Sequence, residues 1–183
     1  KPIILREGSY ASKDVEALKA ARAVLAMRDI YRVQLEELFE ITYPAFAREP
    51  DRGERLQKFM AERGGDAKGN WIYFPWSGEL IHAVNEADYF ALRTNRNKNL
   101  VTADEQQKLY DFRVGIAGLS VGNAAAVGLA YAGMSKTMKL AEFDVLETAN
   151  LNRIRAGLGQ VGAPKLEITA RQIYEINPYA EII

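Results

Sequence analysis

The sequence predicts an α/β fold, with a parallel sheet and helical crossovers in its second half and a mostly helical N-terminal region carrying one β-hairpin. Three observations predict it. From Phe112 the chain alternates strand, glycine-containing turn, Ala-rich helix, strand, loop, helix and the opening of a strand. That order calls for parallel pairing with right-handed crossovers. Ahead of it, apolar residues recur at helical spacing. Between the two lies Trp71-Ile72-Tyr73-Phe74-Pro75-Trp76, followed by the turn Ser77-Gly78 and the apolar run from Leu80 to Val84, which reads as a hairpin.

Taken in order, Ser12 is placed to cap a helix whose first turn carries Asp14 and Glu16. Val15, Leu18 and Leu25, then Tyr31, Leu35, Leu38 and Phe39, keep roughly helical spacing up to the break at Pro44. Asp51 with Glu54 resembles a capping box for a short helix with Leu56, Phe59 and Met60 on one face, ended by Gly64-Gly65. Pro75 argues that its hairpin strand is an edge strand. A helix over about 85–92 leads into the polar, basic run Arg93 to Asn99, and Thr102-Ala103-Asp104-Glu105 is a capping box opening a helix to about Tyr110. Then come a strand from Phe112 to Ala117, a helix from Ala124 to Ala132, a strand from Thr137 to Phe143, and a helix from Pro164 to Ile176 ahead of Pro178. These divide the chain into an N-terminal region, 1–92, and an α/β region, 93–183. The start at Lys1 and the strand-like end Glu181-Ile182-Ile183 suggest part of a larger fold, so the sheet is expected to be incomplete here.

Composition narrows the function. The 24 basic residues balance the 24 acidic ones, which gives no electrostatic reason to expect nucleic acid or an anionic membrane as partner. No apolar run approaches the ~20 residues that span a bilayer. The N-terminus lacks the apolar core of a signal peptide. With no cysteine there is no disulfide, no thiolate metal site and no thioester on this chain. A cytoplasmic protein is expected.

Gly115, Gly118 and Gly122 bracket the first strand-to-helix turn of the α/β region. Such turns present backbone N–H groups and a positive helix end to a phosphate; glycines there also serve tight helix–strand packing. Gly118-Leu-Ser120-Val-Gly122 matches the nucleophile elbow of α/β-hydrolases too. In that fold the histidine follows the serine, whereas His82, the one histidine of the sequence, precedes Ser120 and reads as a structural side chain of the hairpin. Glu142 ends the second strand 24 residues after Gly118, close to the ~20-residue offset at which an acid meets a nucleotide ribose. Asp144 follows it. To this point NAD and ATP are equally good ligands.

The stretch from Asp144 to Pro164 separates them. It is long for a connection in an α/β unit, which marks function or disorder. It holds Asn150-Leu151-Asn152-Arg153 and Gly159-Gln160-Val161-Gly162-Ala163-Pro164-Lys165. Pro164 suits a first helical turn and puts Lys165 at a helix N-terminus, where a cation opposes the dipole. A bound anion would remove that conflict; the plainer reading is a solvated lysine carrying a small frustration.

From about Arg93 to Ile183 the sequence resembles the ThiF, MoeB and ubiquitin-activating-enzyme adenylation domains. The likeness rests on the joint order of strand, Gly turn and helix, the paired acids before N-L-N-R, the V-G-x-P-K segment, and Ile176-Asn177-Pro178 at the next helix end. It implies a Rossmann-like sheet in which Gly118, Ser120 and Gly122 form the phosphate turn and Glu142 stands where the family usually has an aspartate on the ATP ribose. Asp144 would be the second acid of that pair. Asn150, Arg153 and Lys165 would grip the phosphates. Thr94-Asn95-Arg96-Asn97 is similar to the family's arginine motif, which implies that Arg96 reaches the neighbouring subunit's phosphates in a homodimer. The implied reaction is ATP-dependent adenylation of the C-terminal carboxylate of a ubiquitin-like or sulfur-carrier-type protein, with Mg2+ held by an aspartate expected beyond Ile183. The loop departs from the family's G-x-G-G-x-G by being shorter and carrying Ser120. The whole chain also resembles bacterial fusions in which such a domain precedes a nitroreductase-like flavin domain. Two other readings stand beside this one: an NAD(P)-dependent oxidoreductase, for which Glu142 has a role but Asn150, Arg153 and Lys165 do not, and a non-catalytic nucleotide-binding dimerisation scaffold. The sequence names neither the carrier protein nor the acyl acceptor.

Overall fold

The structure, a computed structural model, describes residues 1–63 and 68–183, apart from the side chain of Ala47. The chain divides into two compact units, Pro2–Asn95 and Arg96–Ile183. No helix among the described residues is long and apolar enough to cross a membrane.

The first unit holds more sheet than its sequence suggests. β1 (Ile3–Leu5), β2 (Ala26–Asp29), β3 (Asn70–Phe74) and β4 (Glu79–Ala83) form one sheet in the order β1-β3-β4-β2. The helical spacing from Val15 to Phe39 is therefore interrupted. It is carried by α1 (Ser12–Ala21) and α2 (Tyr31–Thr42), and β2 lies between them, parallel to β4 with Ala26 opposite Glu79. Pairing overrides local pattern here: the Leu25 N–H donates to the Gly78 carbonyl at 2.7 Å and the Ile30 N–H to that of His82 at 3.0 Å. Ser12 is not the cap of α1 but its first residue; the Asp14 carboxylate caps instead, accepting the Ala11 N–H at 2.7 Å. Asp51 likewise pairs with Arg55 at 2.7 Å, ahead of α3 (Arg52–Arg63). The expected helix stop at Gly64-Gly65 lies outside the described residues. β3 sits between β1 and β4 and so is interior, contrary to the reading of Pro75. Pro75 falls one residue past the strand, in the turn, where its missing N–H costs no ladder bond. Leu35, Leu38 and Phe39 of α2 pack on Leu56 and Phe59 of α3 and on Val84. Asn85 caps α4 (Glu86–Thr94) by accepting the Asp88 N–H at 3.0 Å.

The second unit is the expected parallel α/β arrangement. β5 (Val114–Ala117), β6 (Thr137–Ala141) and β7 (Glu181–Ile182) pair in parallel in that order, with Val114 opposite Met138 and Thr137 opposite Glu181. Thr102 and Glu105 form the capping box of α5 (Ala103–Asp111), with bonds of 2.8 and 3.3 Å. α6 runs Gly122–Tyr131 and α7 runs Lys165–Ile176. Along β6, Met138 and Leu140 are buried while Lys139 and Ala141 are exposed, the period-2 alternation of a strand.

Gly122 is set by packing. A Cβ there would lie 2.7 Å from Ile116 Cγ2, so α6 and β5 can approach as they do only without a side chain at that point. At Gly115 a Cβ would meet nothing within 4 Å. Gly122→Ala is expected to destabilise the unit by about 1–3 kcal/mol through overpacking, while Gly115→Ala stays within about 0.5 kcal/mol. Urea midpoints of the two variants provide the check; equal responses would mean that Gly122 is not limited by Ile116.

Candidate functional site

The site is built where β5 and β6 end. The chain leaves β5 through Gly118, whose φ of +82° lies in the left-handed region that favours glycine. The Gly118 N–H donates to the Ala141 carbonyl at 2.9 Å and the Gly122 N–H returns to the Gly118 carbonyl at 3.2 Å, closing the turn before α6. Leu119 is wholly buried, and its N–H donates to Glu142 Oε2 at 2.8 Å. The other Glu142 oxygen accepts the N–H of Phe143 at 2.9 Å and that of Asp144 at 3.2 Å. These backbone donors, Leu119 foremost, hold the Glu142 carboxyl below the usual glutamate range. Glu142 thus ties the glycine turn to the end of β6.

Lys165 is not a solvated lysine. Its side chain is only 5% exposed, and its ammonium lies 3.0 Å from Asp144 Oδ2 and 3.4 Å from Ser120 Oγ. The conflict between a cation and the start of α7 is therefore met inside the protein, by the Asp144 carboxylate. The Lys165 N–H also donates to the Asp144 carbonyl at 3.0 Å. Ser120, Glu142, Asp144 and Lys165 thus form one cluster around the turn that Gly118 opens and Gly122 closes.

The segment between Asp144 and Lys165 is folded. It contains 3-10 turns at Thr148–Asn152 and Leu158–Gln160, and its Leu146 and Ile154 pack on Ile168 of α7. Asn150 is buried, and its Oδ1 accepts the Glu147 N–H at 3.0 Å, shaping the first of those turns. Arg153 is exposed, with Nη1 donating to Asn152 Oδ1 at 2.8 Å and the Ala149 carbonyl at 3.4 Å.

Arg96 is not brought to this cluster within the chain. It is exposed in the 3-10 turn Asn95–Asn99, and its neighbour Asn97 donates to Gln106 Oε1 at 2.8 Å and to the Ala132 carbonyl at 3.2 Å. Ala132 follows the C-terminal end of α6, a ten-residue helix that puts about 15 Å between that end and the glycine turn.

His82 belongs to the Pro2–Asn95 unit, stacked between the Trp71 ring at 4.5 Å and the Tyr31 ring at 4.8 Å, with Nε2 2.8 Å from the Lys68 carbonyl. It is a structural side chain of that unit; within its own unit the Ser120 hydroxyl lies 3.4 Å from the Lys165 ammonium. The described residues contain no group of three or more His, Asp or Glu side chains that could hold a metal ion. Asp144 is already paired with Lys165, so the residues present do not by themselves make a magnesium site. Phe143 was missed by the sequence reading, which placed it inside the second strand. β6 ends at Ala141, and Phe143 stands 96% exposed between the two acids.

Residues 93–183 match the ThiF family. Over 112 residues the chain is 41% identical to an uncharacterized protein of Mycobacterium tuberculosis, covering 61% of this chain and 16% of that protein. It is 32% identical over 91 residues to the tRNA threonylcarbamoyladenosine dehydratase of Bacillus subtilis (49% of this chain, 35% of the dehydratase). It is 34% identical over 76 residues to ubiquitin-like modifier-activating enzyme 5 of Arabidopsis thaliana (41% of this chain, 17% of that enzyme). Among solved structures, the Escherichia coli tRNA N6-threonylcarbamoyladenosine dehydratase TcdA superposes with a TM-score of 0.51 at 28% identity, over 55% of this chain and 42% of that one. The same enzyme in complex with ATP gives 0.50 at 29% identity, over 54% and 41%. The chain spans less than half the length of each of these proteins.

The lowered Glu142 carboxyl has a readable consequence. Its bonds to the turn are present while it is ionised and are lost as the pH falls through its depressed folded value. The Leu119 amide proton resonance is expected to titrate with a midpoint below that of an ordinary glutamate, and Glu142→Gln should abolish that titration. A midpoint at the ordinary value would mean that the Leu119 bond does not form.

Proposed function

We propose that this chain, whose residues 93–183 belong to the ThiF family, binds ATP at the turn between β5 and α6 and takes part in adenylating the C-terminal carboxylate of a small carrier protein. The observation that carries the reading is the buried Lys165 ammonium, set beside Ser120 at the mouth of a turn whose backbone leads into a helix N-terminus. A buried cation beside a hydroxyl at the start of a helix is suited to phosphate. The ATP and AMP complexes of TcdA support a nucleotide, and the name of the Arabidopsis relative supports a ubiquitin-like partner.

In this reaction a carboxylate oxygen bonds to the α-phosphorus of ATP. The bond from that phosphorus to the α,β-bridging oxygen breaks, pyrophosphate leaves with the electron pair, and an acyl-adenylate remains. The protein contributes position and charge. Lys165 and Arg153 offset charge on the phosphoryl oxygens, arginine in a bidentate manner. Asn150 fixes the loop that presents Arg153, and Glu142 is offered to the ribose hydroxyls. Asp144 gives up Lys165 as phosphate takes its place. Gly118, Ser120 and Gly122 supply the turn. Arg96, which lies at the far end of α6 from its own turn, acts from a second copy of the chain in a homodimer. An NAD-binding reading would employ Glu142 but gives no reason for Asn150, Arg153 and the buried Lys165 together.

Calorimetry on the protein is expected to give tighter binding for ATP with magnesium than for NAD, and tighter binding of NAD would sink the proposal. Lys165→Met should weaken ATP by at least about tenfold, whereas Ser120→Ala should cost only about 1 kcal/mol for one neutral hydrogen bond.

The assignment of Arg96 has its own test. Arg96→Ala should lower ATP–pyrophosphate exchange by at least about a hundredfold, as loss of an arginine finger does. Mixing Arg96→Ala with Lys165→Ala chains should restore one working site per heterodimer. Failure to complement, with subunit exchange demonstrated and both parents inactive, places Arg96 in cis or outside the site.

A further inference from the structure

Asn123 is the second residue of α6 and is 1% exposed. Both of its amide hydrogens are spent on α7. Nδ2 donates to Thr169 Oγ1 at 2.9 Å and to Gln172 Oε1 at 2.8 Å. Thr169 and Gln172 stand four and seven residues after Lys165, on one face of that helix. The Thr169 hydroxyl passes the chain on by donating to the Lys165 carbonyl at 2.9 Å. The Gln172 amide passes it the other way, Nε2 donating to the Arg155 carbonyl, two residues beyond Arg153. One buried amide therefore joins the start of α6, the helix that begins with Lys165 and the loop that carries Arg153.

The polarity of this network is unique. A hydroxyl can accept from Asn123 while donating to a carbonyl, and a glutamine amide can accept on one atom while donating from the other. Turning the Asn123 amide over would set its oxygen against Gln172 Oε1. The orientation that remains leaves Asn123 Oδ1 buried without a protein partner, a cost of the kind that folded proteins rarely carry without a reason. An apolar side chain would avoid that cost and lose both directed donors.

We infer that Asn123 is a positioning residue, which through Thr169 and Gln172 sets the placement of Lys165 and the Arg153 loop relative to the glycine turn. The inference rests on the ATP reading for its functional side, and on the hydrogen bonds alone for its structural side. Phosphate-directed groups are effective only when held in register. The network governs the phosphates, therefore, and leaves the nucleoside untouched.

Gln172→Met provides the test, because it keeps length and charge and removes both bonds of the branch. Trypsin cleavage after Arg153 and Arg155, well below the melting temperature, is expected to accelerate about fivefold to tenfold as the loop opens more often, with cleavage after Arg22 unchanged. The dissociation constant for ATP should rise about tenfold while that for adenosine stays put. Thr169→Val should weaken ATP in the same selective way, and Thr169→Ser, which keeps the hydroxyl, should behave as wild type. Unchanged cleavage at Arg153 and Arg155 overturns the inference, and so does a parallel loss of ATP and adenosine, which would signal general damage. If the wild-type protein bound neither ligand, the nucleotide reading would fall and the cleavage rates would still decide whether Gln172 holds the loop.

Discussion

The second unit is organised around an ammonium that has almost no access to water. A buried cation is tolerated only when it is paired and hydrogen-bonded, and Lys165 meets that condition through Asp144 at 3.0 Å. The pairing fixes more than two side chains. Asp144 bonds Lys165 a second time through the backbone, Val145 bridges Pro164, and Leu146 exchanges bonds of 2.8 Å with Gly162 and Ala163. The two ends of the long segment are thereby zipped together, and what looks in sequence like an extended connection is a closed loop on a hydrogen-bonded neck. Asn150 and Arg153 are presented by that loop, so their placement depends on the Lys165–Asp144 pair even though neither touches it.

The same pair suggests how an anion could be received. The Asp144 side chain is 52% exposed whereas that of Lys165 is 5% exposed, so the carboxylate is the partner open to solvent. On the proposed reading, an incoming phosphate competes with a partner that water can readily solvate once displaced. Exchange of one anion for another keeps the ammonium compensated throughout, avoiding the several kcal/mol that an unpaired buried charge would cost. Glu142 holds the backbone of Asp144 while this happens, since it bonds the Asp144 N–H and leaves that side chain free to move.

Sequence patterns disclosed the second unit better than the first, and the reason is physical. The parallel sheet follows from strand–helix alternation, and the Thr102–Glu105 box is a local signal satisfied by local bonds. β2 offers no such signal. Its four residues, Ala26-Met27-Arg28-Asp29, are all exposed and show no alternation; what makes them a strand is a partner, β4, some fifty residues away in sequence. Pro75 misled because proline excludes a residue from a ladder without saying whether the strand has already ended. In the candidate site the residue types were legible and their partnerships were not. Spacing gave Lys165 a helix N-terminus and hence a need for an anion, but nothing in the spacing named Asp144. Gly118 and Gly122 looked alike as letters, yet one answers to a left-handed φ and the other to Ile116.

Glu142 marks the point where the resemblance and the geometry must be read together. On the proposed reading the acid at the end of β6 serves the ribose, and in the likeness it stands where an aspartate is usual. The longer glutamate does something further: it reaches across to the Leu119 N–H of the glycine turn and also takes two N–H groups of its own strand end. A carboxylate offers about four acceptor positions, and three backbone donors leave about one for a ligand. A ribose bound there would gain a single good hydrogen bond rather than a bidentate grip. Stabilising the turn and gripping the sugar therefore compete for the same oxygens. The turn has the prior claim, because the carboxylate already holds the N–H of the buried Leu119 at 2.8 Å, and a sugar drawing that oxygen away would cost the bond. On the proposed reading, recognition of a nucleotide at this site would then lean on its phosphates, for which Lys165 and Arg153 supply the positive charge.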